Sequence, residues 1–489
     1  MEKRWLVLLG VFLLVLAARI FFTFQTPYLT SDTAYLHTRI IDNLREGTLL
    51  FDDPLGFDGR TLIHSPLFDM IIAVFTLFMP ISLATKIIPA IFASLLVFPT
   101  YLLAYTLTKD EKSSVIAATL AGITPFFFAF TFNHLSSLTL SIPLLFLLLY
   151  LWTQIPKKLM LFLILITFFI LLTPLSLIFV STLGVYFALC ALDRINLSLA
   201  NFELGLFTMA FALWAHFIFY KEALLTHGFF IIWQNIPTAL LGQYYSETSI
   251  LSVLFYLGIF VVFFGIYAVY KYAIQTPQKE STLLVALGVV SAVCLWLKLI
   301  PLNTALILLG ISLTILASQT LTIFSKYIST TKFKKFSKSI YGLVAIGLVA
   351  TTLIPTYALT KEEFATTITD EDYDALIFVK HDFPADARII APASFGHYVT
   401  GIANRSNVID TYFLLEPQIN ERYNDIERLY KTPLETEAIT IFDKYNATHL
   451  LVPSYLPNVK FQSACFKRTD FHNVHIYEKN PDCKLEVVA

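Results

Sequence analysis

The sequence predicts an α-helical polytopic membrane domain followed by a C-terminal extracytoplasmic α/β domain. Three observations carry this expectation. Apolar runs near bilayer length recur over the first three quarters of the 489 residues. The mean hydropathy is +0.69. After Tyr357 the composition turns mixed and polar, with alternating helical and strand-like patterns. The length exceeds one ordinary soluble domain. A net charge of -1 gives no electrostatic footprint for nucleic acid.

Taken in order, the N-terminal MEKRWLVLLGVFLLVLAARIFF has a basic start and an apolar run but no clear small-residue cleavage site. It reads as an uncleaved first helix over 5–24. Further spans are expected at 85–107, 114–130, 137–154, 157–172, 174–192, 202–220, 250–271, 281–297, 302–323 and 340–358, about eleven in all. The short run 67–83 carries Asp69 near its start. If it does not span, and the N-terminus is cytoplasmic, Lys109, Lys112, Lys157, Lys158, Arg194, Lys271, Lys279 and the run 325–338 all fall inside. The membrane domain is therefore 1–358, with outer loops at 25–84, 130–137 and 221–249, in a cell membrane. The apolar, aromatic FFIIWQNI of the last loop suits the membrane surface.

From 359 to 489 the chain reads as one α/β domain. A helix at YDALIFVKHDF leads to a strand RIIAPA, a turn SFGHY and a strand NVID. Amphipathic helices follow at 417–430 and 434–445, then a strand HLLVPS and closing strands FQSACFKR and NVHIYEK. Cys465 and Cys483 can pair if this domain faces an oxidising space. Cys190 and Cys294 lie in apolar runs, as packing thiols do.

Polar chemistry is scarce in a chain that is 56% hydrophobic and 14% charged, so its concentration in 31–68, SDTAYLHTRIIDNLREGTLLFDDPLGFDGRTLIHSPLF, stands out. Asp32 and Arg39 can share a helix face two turns apart. Asp32 either caps that helix as a solvated charge or serves as a carboxylate that holds a divalent metal or takes a proton. Glu247, in YSETS, stands at the end of the third outer loop, as a helix-capping or an acceptor-binding or catalytic carboxylate. Lys298 lies at a span end, where a lysine either snorkels or meets a phosphate. His134 follows Asn133 in the second outer loop and is a suitable metal-ligand type.

DTAYLHTR and DPLGFDGRTLIHSPLFDMI resemble the first external loop of the oligosaccharyltransferase catalytic subunit, a GT-C superfamily membrane glycosyltransferase. YSETSILSVLFYLGIF is similar to the family's Glu-bearing loop, with Glu247 as its Glu, and KLIPLNTALILLGISL to its Arg segment, with Lys298 at the Arg position. ASFGHYVTGIANRSNVID resembles the surroundings of the Trp-Trp-Asp-Tyr-Gly motif, with Phe395, Gly396 and His397 matching Tyr-Gly-His. The resemblance implies a GT-C type fold and inverting transfer of a sugar or oligosaccharide from a polyprenyl (dolichyl) phosphate or diphosphate to a protein or glycan acceptor. It implies Asp32 and Glu247 as catalytic residues, and a divalent cation, Mn2+ or Mg2+, on Asp32, His134 and Glu247. Donor phosphate would be met by Arg39, Lys298 and His64, and acceptor by Phe395, Gly396 and His397.

Two departures qualify what is carried over. Pro392, Ala393 and Ser394 replace Trp-Trp-Asp, and Asn133 and His134 stand where carboxylates are usual. Alternatives are a transferase acting on a non-sequon acceptor (lipid, glycan or protein hydroxyl), a lipid-linked glycan transporter, and an inactive relative.

Overall fold

A computed structural model describes residues 2–57, 59–245, 249–461 and 463–483. The chain divides into two compact units. The first takes Met1–Pro27, Phe78–Phe219 and Tyr244–Ala365; the second takes Tyr28–Leu77, Tyr220–Gln243 and Thr366–Ala489. Most of the expected outer loops 25–84 and 221–249 thus group with the C-terminal residues.

The first unit is helical. It begins with α1, Glu2–Thr23. Among the described residues, seven helices are long and apolar enough to cross a membrane, including Ile81–Thr108, Leu175–Leu192, Lys279–Trp296 and Leu302–Thr330. An eighth is added if Ile250–Leu257 and Ile259–Gln275, bent by 94°, count as one span. The break falls at Gly258, whose φ of +85° is a conformation side chains resist. The segment expected as one span over 114–130 is two helices, Glu111–Gly122 and Pro125–Ala129. Leu138–Thr153 and Leu159–Leu172 are shorter, at 16 and 14 residues. The chain is a multi-pass membrane protein.

Leu302–Thr330 is the most enclosed of these helices. It packs on Ile259–Val269, Lys279–Trp296 and Glu111–Gly122. Buried hydroxyls in these helices turn back on their own backbone, as Thr314 does to the Gly310 carbonyl at 2.8 Å and Thr352 to Leu348 at 2.9 Å. Such internal satisfaction is what a solvent without donors requires.

The second unit opens with α2, Thr33–Arg45, then a two-residue hairpin of β1, Asp52–Asp53, and β2, Arg60–Thr61. Next comes α3, Leu67–Phe75. Its nine residues reach roughly 14 Å, well short of a bilayer. The C-terminal part begins with α4, Asp370–Asp382, capped by Thr369, which accepts the Asp372 N–H at 3.1 Å. Acidic residues in its first turn and Lys380 and His381 in its last complement the helix dipole.

A five-stranded sheet follows: β3 Arg388–Ile390, β4 Ser406–Asn407, β5 His449–Val452, β6 Phe466–Phe471 and β7 Val474–Lys479. Their spatial order is β4-β3-β5-β7-β6. β3 is parallel to β4 and β5; β5–β7 and β6–β7 are antiparallel. Helices α5, Ile419–Lys431, and α6, Glu435–Lys444, connect β4 to β5. The fully buried β5 is an apolar run after His449, as expected of a central strand. The core joins Leu376 and Val379 of α4, Ile389, Phe395, Val399 and Ile476. Cys465 and Cys483 form a disulfide; Cys190 and Cys294 are free thiols.

Candidate active site

The site begins with α2. Ala34, Leu36, Ile40 and Ile41 bury one helical face, and Asp32 stands at its start. Asp32 Oδ1 accepts the Thr33 N–H at 2.7 Å, so the capping role is real. Its other oxygen, Oδ2, accepts the Thr411 hydroxyl at 3.0 Å. Burial pushes the Asp32 carboxyl up to about 7, against the lowering effect of those two hydrogen bonds. Asp32 as a residue is half-buried. A carboxylate with a pKa near neutrality suits proton uptake.

Two turns along α2, Arg39 forms a two-pronged pair with Asp53, at 2.6 and 3.3 Å. Arg60 reaches the same Asp53 at 3.4 Å and Asp410 at 2.7 Å. Its guanidinium also donates to the Tyr412 carbonyl at 2.8 Å. Asp410 in turn accepts the Tyr412 N–H at 2.9 Å and the Asn407 amide at 3.2 Å. Asn407 accepts the Phe57 N–H at 2.9 Å. Tyr412 donates its hydroxyl to the Ile63 carbonyl. Asp53, Arg60 and Asp410 are almost wholly buried, which two cations and two carboxylates in alternation permit. Burial alone would raise Asp53 and Asp410, but Arg39 and Arg60 hold Asp53, and Arg60 above all holds Asp410, below the usual carboxylate range. Thr411 lies between two residues anchored in this network, and that places its hydroxyl on Asp32.

A second pairing joins α2 to α3. His37 Nδ1 lies 2.8 Å from Asp69 Oδ1, and Asp69 is fully buried. Burial pulls His37 down, but the Asp69 charge and hydrogen bond outweigh it, so its pKa is raised. His64 is lowered by burial, and its Nδ1 is enclosed without a partner among the described residues.

The other expected site residues fall as follows. Arg39 sits in the second unit with its charge met by Asp53. Phe395, Gly396 and His397 are all buried in the α/β core rather than displayed. A Cβ on Gly396 would lie 2.1 Å from the Ile409 carbonyl, so its glycine is explained by close packing against the loop after β4 that carries Asp410. His397 is 3.6 Å from Asp410, and burial lowers it to about 4. His134 belongs to the first unit, with Nε2 3.4 Å from Glu363. Lys298 is exposed just past Lys279–Trp296, with a left-handed φ of +56°. Glu247 lies outside the described residues, as does Asp58 of the opening loop.

The expected metal set can be tested only in part on these donors. Among the described residues, no three His, Cys, Asp or Glu side chains converge to hold an ion. Asp32 has both oxygens bonded to protein donors, and His134 faces Glu363. The described residues do not fit a metal centre. Thr411, Asp410 and the His37–Asp69 pair escaped sequence reasoning. Only the acidic end of NVID and the Asp within LFDMI hinted at them.

No protein-family model matches the chain, and no curated protein matches it. Solved structures do. The oligosaccharyltransferase of Archaeoglobus fulgidus in its apo form superposes with a TM-score of 0.72 at 15% identity, over 92% of this chain and 70% of that one. The same archaeal enzyme, AglB, in complex with an inhibitory peptide and a dolichol-phosphate gives 0.71 at 14% identity, over 92% and 69%. ArnT from Cupriavidus metallidurans, bound to undecaprenyl phosphate, gives 0.57 at 11% identity, over 99% of both chains. This chain has the GT-C fold. At such identities the likeness is one of architecture: a helical GT-C membrane unit joined to a C-terminal sheet domain.

Proposed function

We propose that this GT-C chain is a membrane glycosyltransferase that moves a sugar or oligosaccharide from a polyprenyl phosphate or diphosphate to an acceptor, in the manner of an oligosaccharyltransferase. The observation that carries this reading is the Asp32 carboxylate. It heads α2, is raised toward neutrality by burial and is held from the C-terminal domain by Thr411. The fold neighbours bound to dolichol-phosphate and undecaprenyl phosphate support the donor class. The charge bias of the loops supports a cytoplasmic N-terminus and an extracytoplasmic second unit.

The step is a single displacement. The acceptor's nucleophilic atom attacks the anomeric carbon. The bond from that carbon to the phosphate oxygen breaks, and its electron pair leaves on that oxygen. The acceptor's proton passes to Asp32, which also orients the nucleophile. Inversion follows from one displacement. Arg39 acts by holding the loop shape through Asp53.

A specific observation favours an acceptor other than an Asn-x-Ser/Thr sequon. Pro392, Ala393 and Ser394 replace the family's Trp-Trp-Asp, and Ala393 and Phe395 are buried. The experiment is a donor-consumption assay in detergent with a polyprenyl-diphosphate oligosaccharide and an Asn-x-Thr peptide, with and without Mn2+. Asp32→Ala, Glu247→Ala, His134→Ala and Lys298→Ala are run in parallel. Glycopeptide that vanishes in Asp32→Ala establishes peptide transfer. Donor loss without glycopeptide keeps the transferase and moves it to another acceptor. No consumption by wild type under any condition overturns the reading.

A further inference from the structure

Arg19 is a fully buried cation in a membrane helix with no carboxylate beside it. Its Nη1 donates to the Thr131 hydroxyl at 2.8 Å, and its guanidinium carbon lies 5.0 and 4.6 Å from the Phe127 and Phe128 ring centres. Nε and Nη2 are enclosed and have no hydrogen-bond partner among the described residues. Thr131 does not neutralise the charge; its own hydroxyl donates to the Phe127 carbonyl. One turn on, Thr23 shares the same face of α1, is equally buried, and its Oγ1 is also without a partner. Two ring faces compensate only part of the cost of a desolvated guanidinium. A buried ionisable group in a membrane helix is by default a candidate ligand or ion site.

The surroundings select the kind of ligand. α1 buries only a stripe, Leu8, Val15, Arg19 and Thr23, and leaves Leu6, Val7, Leu13, Leu14 and Phe21 exposed. It therefore stands at the edge of its helical unit, beside lipid. Arg19 lies one turn from the end of α1, at headgroup rather than midplane depth. Guanidinium N–H groups in a fork, with a hydroxyl donor one turn away, match phosphate oxygens.

We infer that Arg19 and Thr23 form a binding site for the phosphate of a membrane lipid, entered from the bilayer along α1. Under the function proposed above, on which this extension to the donor rests, that lipid is the polyprenyl phosphate. Thr131 and the two phenylalanines hold the guanidinium in place, and Arg19 Nε and Nη2 supply the free donors.

The test is thermal unfolding and ligand binding of the purified full chain in detergent. A short-chain polyprenyl phosphate, phosphatidylglycerol and inorganic phosphate are titrated against wild type, Arg19→Met and Arg19→Lys. Wild type is expected to bind polyprenyl phosphate saturably and to melt later with it. Arg19→Met removes an unpaired charge, so without ligand it melts no earlier than wild type, yet binds about tenfold more weakly or worse. Arg19→Lys keeps part of the binding. Equal, Arg19-dependent binding of phosphatidylglycerol supports the lipid-phosphate site and overturns its link to the donor. Unchanged binding in Arg19→Met overturns the site, as does an Arg19-dependent response to inorganic phosphate alone. Donor consumption is measured on the same samples. Binding without turnover refutes the transferase reading and leaves the site standing.

Discussion

Thr411 donates its hydroxyl to Asp32 across 379 residues of sequence, at 3.0 Å. The bond ties the carboxylate at the head of α2 to a loop held by Arg60 and Asp410. Asp32→Ala is expected to reduce donor consumption about a hundredfold or more, with a melting temperature lowered only by the lost helix cap, about 1 kcal/mol. Thr411→Val should lower it about tenfold, and Thr411→Ser should restore it. A Thr411→Val enzyme as active as wild type would show that the bond does not position Asp32.

The Arg60–Asp410 pair is buried at both ends. Arg60→Met leaves two carboxylates short of a counter-charge and is expected to cost about 3–5 kcal/mol. Denaturant unfolding followed by near-UV circular dichroism reads this. Adding Asp410→Asn to Arg60→Met should recover part of the loss, since one stranded charge is then removed.

Gly396→Ala would drive a methyl group into the Ile409 carbonyl. The expected cost is about 2 kcal/mol or more, read as a lower melting temperature and reduced yield. Gly342→Ala, where a Cβ would meet nothing, is the matched control and should be neutral or slightly stabilising.

His397 is wholly buried and is held at about 4, below its ordinary 6.5. Burial disfavours the charged ring, so the native state stays neutral where the unfolded chain takes up a proton. Its stability contribution is complete above pH 6.5 and is lost as pH falls from there toward 4. The slope is about 1.4 kcal/mol per pH unit. His449, stacked on Phe383 and also lowered to about 4 by burial, adds in the same window. Unfolding curves between pH 7 and 4 should flatten in His397→Gln, provided that the variant folds at pH 7; an unchanged slope would contradict this assignment.

The disulfide between Cys465 and Cys483 spans 18 residues. Reduction, or the double change to Ser, should destabilise the α/β domain by about 3 kcal/mol. Melting with and without a thiol reductant measures it, and the double Ser variant should show no further response to reductant.

Much of the fold was legible because its signals are local. Helix α4, the two connecting helices α5 and α6 and the central strand β5 follow from apolar spacing within each segment. The span count was harder to read. Hydropathy does not register the 94° bend at Gly258 or the break between Gly122 and Pro125. The site was legible as a concentration of polar residues in 31–68, but not as a division of labour. Arg39 and Asp53 were visible as charges; that they neutralise one another depends on the chain after α2 folding Asp53 back onto that helix. The resemblance assigns Phe395, Gly396 and His397 to the acceptor; the fold buries all three, with Gly396 packed closely on Ile409.

The sequence by itself determined that this is a multi-pass membrane protein with a C-terminal α/β domain, because hydropathy and periodicity report each segment's solvent without reference to any other. Only the tertiary structure decided which charges are spent on one another. Arg60 meets Asp410, and Thr411 meets Asp32, through contacts some 350 and 379 residues apart. Pairings of that range carry no local pattern. They arise when burial removes water as the competing partner and leaves each charge to find the one group that can replace it.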